Sequence, residues 1–290
     1  MRRAHSHAIN PFATEPLRPV DCAQIPTRST LPHGTGVLSP PSPAPGRRAR
    51  PERIVRSEYL RSESLEPAQR CALVGRLYAV YCRTLHGYTS TEFEDMVFGA
   101  SEVRLALFYG AHDQLAGFSF AGFERIEHAG RAHAVLAGGG FFRPGYHGGV
   151  SAAFFLLGQA LRAKLREPRT PLAYVTRATT PAAYRRLAAT MPRIYPSRKR
   201  QTPADVEAVV RALIAHRQYV QVGDSPWVVR SHTPHDPSRL RRLQDDADVR
   251  FYFELNPGFA EGESLLVWMG LDTADIAGGF IRALRARLAR

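Results

Sequence analysis

The segment with the clearest chemical potential is Gly138-Gly139-Gly140-Phe141-Phe142-Arg143-Pro144-Gly145-Tyr146-His147-Gly148-Gly149-Val150-Ser151. A strand that ends in three glycines can bulge or splay and let a ligand or another chain approach its backbone. The glycines that follow leave amide N–H groups bare where a helix begins, and the helix dipole there favours a phosphate. Arg143 and His147 add positive charge. The spacing fits neither the Walker pattern nor GxGxxG. The competing interpretation is a sheet bend followed by a tight turn.

The surrounding pattern supplies the elements that must hold this junction. Residues 1 to 50 carry nine of the 22 prolines and the run Pro40-Pro41-Ser42-Pro43-Ala44-Pro45-Gly46, so a disordered, dispensable tail is expected. Arg53 to Leu60 suits a short strand. Ser64 to Arg83 reads as a helix whose apolar stripe is Cys71, Val74, Leu77, Tyr78, Tyr81 and Cys82, and Thr89 to Phe98 as a second helix. Strands Val103 to Tyr109, Leu115 to Ile126 and Ala132 to Phe142 follow, with gaps too short for anything but antiparallel hairpins. A helix from Ser151 to Arg166, with Phe154, Leu157, Leu161 and Leu165 on its apolar face, leads to the strand Leu172 to Thr176 and a helix from Pro181 to Ala189. Thr202-Pro203-Ala204-Asp205 starts a helix to about Arg217. Tyr219 to Val222, Trp227 to Arg230 and a basic loop come next. Val249 to Leu255 and Leu265 to Leu271 read as a hairpin turned by Asn256-Pro257-Gly258, before a last amphipathic helix.

This order of elements, together with the glycine-rich junction, resembles the Gcn5-related N-acetyltransferase (GNAT) superfamily over roughly Arg53 to Pro196, with Val249 to Leu271 completing the sheet. The resemblance implies an α/β fold: a mixed, mostly antiparallel central sheet flanked by helices, spanning residues 51–290 with an insertion at about 198–248. It implies an acyl-CoA or acyl-carrier thioester as co-substrate, held by a bulged fourth strand and a loop of pattern Q/R-x-x-G-x-G/A. Tyr146-His147-Gly148-Gly149-Val150-Ser151 matches that loop, with Tyr146 where the family has Gln or Arg. The implied cofactor contacts are Phe141, Phe142, Arg143, Tyr146, His147, Gly148, Gly149, Val150 and Ser151. Thr179 to Leu187 is similar to the family's Asn-x-x-Ala…Tyr stretch without its asparagine. Tyr184 there is the implied donor of a proton to the departing thiolate, since a phenol with a pKa of about 10 is protonated at neutral pH. Packing on an amphipathic helix would explain Tyr184 equally well. Tyr78, Tyr81 and His86 sit where the first helices would line an acceptor cleft, or form a core stripe. Glu92, Glu94, Glu124, Glu127, His128 and His133 are the available bases, and none stands out.

Composition bounds the alternatives. The 290 residues are 44% hydrophobic, enough for a packed core, and carry a net charge of +13 from 39 basic and 26 acidic residues. Only Lys164 and Lys199 are lysine, a skew that codon bias explains as well as polyanion binding does. Arg198-Lys199-Arg200 and Arg239 to Arg242 could meet a CoA phosphate, an acidic acyl carrier protein or nucleic acid, but no aromatic residues interleave them to stack bases. Cys22, Cys71 and Cys82 lack disulfide or zinc spacing, which argues for a reducing cytoplasm, no metal, and buried structural thiols at Cys71 and Cys82. No segment reads as a membrane span. The expected activity is transfer of an acyl group from a thioester to an amine or hydroxyl on a small molecule or peptide. A non-catalytic module of the same fold, and a basic nucleic-acid-binding protein, are the alternatives.

Overall fold

The computed structural model describes residues 52–85, 87–146, 148–191, 193–231, 243 and 245–288. The N-terminal tail, Cys22, His86, His147 and the run from Arg239 to Arg242 lie outside them. Strand β1 (Arg56–Arg61) pairs antiparallel with β2 (Glu102–Tyr109), β2 with β3 (Leu115–His128), and β3 with β4 (Arg131–Phe142). The β3–β4 turn consists of Ala129 and Gly130, at φ 49° and 72°, the left-handed pair that a two-residue hairpin requires.

Two helices separate β1 from β2, α1 (Pro67–Thr84) and α2 (Ser90–Phe98). Each starts on a capping box, Glu66 with Gln69 and Thr89 with Glu92, which satisfies backbone N–H groups that a helix leaves over. The buried face of α1 is Leu73, Val74, Leu77, Val80 and Tyr81. Cys71 and Cys82 are therefore not core residues; both are exposed, because the stripe is rotated towards Leu73 and Val80.

The second half follows as α3 (Gly149–Arg166), β5 (Leu172–Ala178), α4 (Pro181–Thr190), β6 (Ile194–Tyr195), α5 (Ala204–His216), β7 (Val228–Arg230), α6 (Ala247–Leu255), β8 (Glu263–Leu271) and α7 (Thr273–Leu288). The sheet order is β1-β2-β3-β4-β5-β8-β6, with β7 also on β8, and among these strands β4 and β5 pair in parallel while the others pair antiparallel. This is the mixed, mostly antiparallel sheet flanked by helices that the sequence leads one to expect. Helix α3 packs between the sheet and α7. Its sheet side is Ala152, Phe155, Gln159 and Ala160, while Phe154 and Leu157 turn to Phe280 and Gly279 of α7. Leu165 is 71% exposed, so the apolar face expected from sequence is the α7 side without its last residue. The opposite sheet face carries α1 and α2 over the first strands. There too, α5 buries Val209, Val210, Leu213 and Ile214 in one core with Ile126, Val135 and Val175.

The expected C-terminal hairpin is not formed. Val249 to Leu255 lies in α6, and β8 enters the sheet alone between β5 and the short strands β6 and β7. The run Val-Arg-Phe-Tyr-Phe-Glu-Leu alternates enough to suggest a strand, but local hydrogen bonding decides otherwise. The Asp246 carboxylate accepts from the N–H groups of Asp248 and Val249 and caps a helix. Val249 and Tyr252, three apart, then share the buried face, and the Tyr252 hydroxyl donates to the Ala178 carbonyl at 3.0 Å. Likewise Tyr219 to Val222 is no strand beyond a single bridge from Gln221 to Val229.

Asp246 also accepts from Arg185, and that bond, helped by the backbone N–H groups of Val249 and Asp248, holds its carboxyl below the usual range. A depressed pKa contributes stability above the unfolded value near ~3.9, lost as pH falls through the folded one. Asp246→Ala should therefore lower the melting temperature at pH 7, and the gap to wild type should narrow as the pH falls below the ordinary carboxylate range. Thermal unfolding followed by circular dichroism across that range checks it.

Candidate active site

Strands β4 and β5 run side by side only from Ala134–Leu172 to Ala137–Val175. One step further the ladder would join Gly138 to Thr176, but the Gly138 carbonyl instead accepts the Tyr174 hydroxyl at 2.8 Å and the Thr176 hydroxyl at 3.3 Å. Past this point the two strands have no mutual backbone bonds. The backbone of β4 alternates its direction with period two. The Ala134 N–H reaches the Pro171 carbonyl on the β5 side, so the N–H of Gly140 points that way too, into the gap.

Glycine is required by contact at Gly138, where a Cβ would lie 2.5 Å from the Phe120 carbonyl oxygen. At Gly140 the space is tight, a Cβ there lying 3.2 Å from the Ala152 methyl. The strand thus lies close against both its neighbour and α3.

The gap opens into a cleft of about 250 Å³ on the face that carries α1, α2 and α5. Its walls include Gly139, Gly140, Phe141, Tyr81, Tyr88 and Met96 on one side and Val175, Arg177, Leu213, Arg217 and Tyr219 on the other. The turn after α5 delivers the last two. Gln218 adopts φ 53° and the Tyr219 N–H donates back to Ile214 at 3.0 Å, a left-handed helix stop. Arg217 is ion-paired with the buried Glu124 at 2.6 Å. Arg177 has no such partner among the described residues: its Nη1 donates to the Tyr88 hydroxyl at 2.8 Å, and its guanidinium lies 5.1 Å from the Tyr219 ring centroid and 5.5 Å from that of Tyr88. Burial alone would pull its pKa down, but the phenolic oxygens of Tyr219, Tyr88 and Tyr81 leave it raised. Because the guanidinium occupies the Tyr88 oxygen as donor, the Tyr88 proton remains available to a second acceptor. Burial raises the Tyr88 pKa, and Arg177 opposes that rise.

Beyond the cleft, β4 runs into the start of α3. The helix begins with Gly148 as cap, without a side-chain cap bond, so the N–H groups of Gly149, Val150 and Ser151 have no intrahelical partner. A Cβ at Gly149 would meet nothing within 4 Å. Arg143 stands beside this start with a buried, unpartnered Nε, and burial and nearby Arg83 lower its pKa. Thr84 ties the end of α1 to this place by donating to the Phe142 carbonyl at 3.0 Å.

The residues read from sequence separate into three groups. Phe141 and Tyr81 meet in the cleft, ring centroids 5.6 Å apart. Arg143, Gly148, Gly149, Val150 and Ser151 form the helix start. The others are placed elsewhere. Phe142 stacks on Phe108 at 5.3 Å and fills the space beneath Gly148, where a Cβ would come within 1.7 Å of its ring. Tyr146 is buried against Gly110, its hydroxyl donates to the Gln114 side-chain oxygen at 3.5 Å, and the Glu52 carboxylate beside it raises its pKa; it anchors the loop from behind. Tyr78 is not in the cleft wall, for its hydroxyl holds the Tyr88 carbonyl at 2.9 Å, and burial with a bond to Cys82 pushes its pKa up to about 12. Tyr184, expected as proton donor, is fully buried, donates to the Pro196 carbonyl at 2.9 Å and packs on Tyr252. Its hydroxyl is committed away from the cleft. His86 and His147 lie outside the described residues.

A larger groove of about 960 Å³ crosses the other end of the sheet. Several of its cations are matched within the chain, Arg104 by Glu102, Arg125 by Glu167, Arg166 by Glu102 at 3.7 Å and Lys164 by the Thr170 carbonyl at 2.9 Å, while Arg61 and Arg162 have no ion-pair partner among the described residues. Among the described residues no cluster of His, Cys, Asp and Glu is placed to hold a metal, and no helix is long and apolar enough to cross a membrane.

No protein-family model matches the chain, and no curated protein matches it significantly. Solved structures that are similar include a probable N-acyltransferase from Enterococcus faecalis, at 14% identity and TM-score 0.30, covering 46% of this chain and 31% of that one. Escherichia coli ElaA is similar at 12% identity and TM-score 0.29, covering 52% of this chain and 95% of its own. Malonyl-CoA decarboxylase from Cupriavidus metallidurans is similar at 12% identity and TM-score 0.33, covering 78% of this chain and 64% of that one. This chain thus spans about a third of the Enterococcus protein. Likenesses this low assign no activity, and the functional reading rests on the geometry of the cleft.

Tyr184→Phe tests the placement of that tyrosine. It should cost about 1–3 kcal/mol of stability, because the buried Pro196 carbonyl loses its donor, while leaving ligand affinity at the cleft unchanged. Denaturant titration and calorimetry measure the two effects separately.

Proposed function

We propose that the chain transfers a short acyl group from acyl-CoA to the amine or hydroxyl of a small acceptor. The observation that carries this is the parting of β4 from β5 after Ala137 and Val175, which turns the Gly140 N–H towards a cleft whose walls combine apolar side chains with Tyr88 and Arg177. The thioester carbonyl would accept from that N–H. The helix start at Gly149, Val150 and Ser151, with Arg143 and Arg83, would take the pyrophosphate. A cleft of about 250 Å³ suits an acyl chain of a few carbons. An acyl carrier protein offers the same thioester arm, but free CoA is taken as the donor, since the helix start with Arg83 and Arg143 suits its pyrophosphate.

The acceptor's lone pair attacks the carbonyl carbon, and the C–O electrons gather on oxygen against the Gly140 N–H. The carbon–sulfur bond then breaks. Tyr88 gives its proton to the departing thiolate, and Arg177 stabilises the phenolate that results. The proton lost by the acceptor nitrogen or oxygen returns to Tyr88 through solvent. No carboxylate or imidazole is among the described residues of the cleft wall, so an amine acceptor reacts as its free base. That same feature favours the second reading, a ligand-binding module without turnover. Cys71 and Cys82, exposed and not joined in a disulfide, suit a reducing compartment such as the cytoplasm.

Calorimetry should detect binding of acetyl- and propionyl-CoA, with palmitoyl-CoA no better than CoA itself. Gly149→Glu, which has room for its side chain but sets a carboxylate against the phosphates, should abolish binding without lowering the melting temperature. Absence of binding, or binding that Gly149→Glu leaves intact, would overturn the cofactor assignment. With a reactive acceptor found, Tyr88→Phe should lower kcat by about 10²-fold or more at unchanged affinity for the donor. No turnover by wild type with any acceptor tried, despite binding, would favour the non-catalytic reading.

A further inference from the structure

Arg177 is a charged residue where the strand pattern calls for an apolar one. It stands two residues after the buried Val175, so its side chain leaves the same face of β5 and enters the cleft. A cation withdrawn from water needs a counter-charge or a full set of hydrogen bonds. Arg217, its neighbour in the wall, has both a carboxylate and a place in the core, through Glu124. Arg177 has neither: Nη1 meets the neutral Tyr88 hydroxyl, two tyrosine rings flank the plane, and no described carboxylate comes within ion-pair distance. The groups facing it from the surrounding elements are the phenols of Tyr81 in α1, Tyr88 before α2, and Tyr219 after α5. Its Nε and Nη2 have no described acceptor.

A guanidinium stacked beside aromatic rings, held on one edge by a phenol and open on the other, is prepared for a planar, two-oxygen anion. The remaining walls are Phe141, Met96, Leu213 and Val175, which gives such an anion a small apolar body to be attached to. Bulk phosphate chemistry is already provided for elsewhere, at the start of α3 with Arg143.

We infer that the group entering this cleft carries a carboxylate, and that Arg177 is the residue that selects it. The inference builds on the proposed acyl transfer, and it narrows the substrate class to either a carboxylate-bearing acceptor, such as an amino acid, or a dicarboxylic acyl donor. In either case the carboxylate lies along the guanidinium edge, the apolar walls hold the intervening carbons, and the reacting carbonyl reaches the Gly140 N–H.

The test is a matched-pair binding series on the full chain. One pair is N-acetyl amino acids against their amides, and the other is malonyl- and succinyl-CoA against propionyl- and butyryl-CoA. Each is titrated against wild type, Arg177→Gln and Arg177→Lys by calorimetry, with melting temperature recorded for each variant. In one of the two pairs the carboxylate member should bind about tenfold or more tightly to wild type, as hydrogen bonds to charged groups are worth. Arg177→Gln should erase that preference, while Arg177→Lys retains part of it. The pair that responds says whether acceptor or donor bears the carboxylate. No preference in either pair, or a preference that Arg177→Gln leaves in place, overturns the inference. Should Arg177→Gln fail to fold, a partial loss of the preference in Arg177→Lys at an unchanged melting temperature serves in its place, and full retention there refutes the two-oxygen recognition. Binding of uncharged acyl-CoA by wild type is a separate readout: its absence would remove the acyl-transfer reading while leaving carboxylate selection by Arg177 to stand or fall on the amino-acid pair.

Discussion

The architecture depends on how one carbonyl is satisfied. In a continuous parallel ladder the Gly138 oxygen would bond to a backbone N–H of β5. Here the hydroxyls of Tyr174 and Thr176 take it instead, and the two strands lose register one residue after Ala137 and Val175. A buried carbonyl must be paired with something, and a side-chain donor permits what a backbone donor forbids, the separation of two central strands without an orphaned group. Tyr174 is buried enough that its pKa is pushed up to about 12, so it stays a donor under any physiological condition. Everything functional follows from that substitution: a backbone N–H directed into a gap, and a gap opening on an aromatic wall.

The rest of the molecule holds the gap open. Gly138 and Gly140 let α3 and β3 crowd β4, which keeps the strand from moving to rejoin β5. Phe142, wedged beneath Gly148 and on Phe108, sets where α3 begins, and Tyr146 pins the connecting loop to Glu52 and Gly110. On the other side β5 is drawn into an extended antiparallel pairing with β8, from Leu172–Leu271 to Ala178–Leu265. That pairing continues past the point where β4 is lost.

Much of this was legible in the residues. The hairpin succession from β2 to β4, the glycine triplet and the helix start at Gly149 follow from local rules, and they were enough to anticipate the sheet. Phe141 and Tyr81 line one cleft for the same reason, since strand and helix periodicities fix which side chains share a face. Tyr184 does not line it. Its helix is where it was expected, but whether its hydroxyl meets the cleft or the Pro196 carbonyl depends on tertiary packing against Tyr252, which lies in a segment whose alternation mimics a strand. The residues now given the most chemistry, Tyr88, Arg177 and Tyr219, come from three distant segments. Arg177 did carry a signal, a charge on the inward face of an otherwise apolar strand. Tyr219 carried none, because its position is set by a single left-handed residue, Gln218, at the end of α5.

Hydrogen exchange at single-residue resolution, with and without saturating acetyl-CoA, tests the central claim most directly. Binding at the parted strands should slow exchange at the Gly140 amide and at Gly149, Val150 and Ser151, and leave the groove beside Arg104 and Lys164 unchanged. Protection confined to that groove, or none at Gly140 under conditions where acetyl-CoA is bound, would contradict the account.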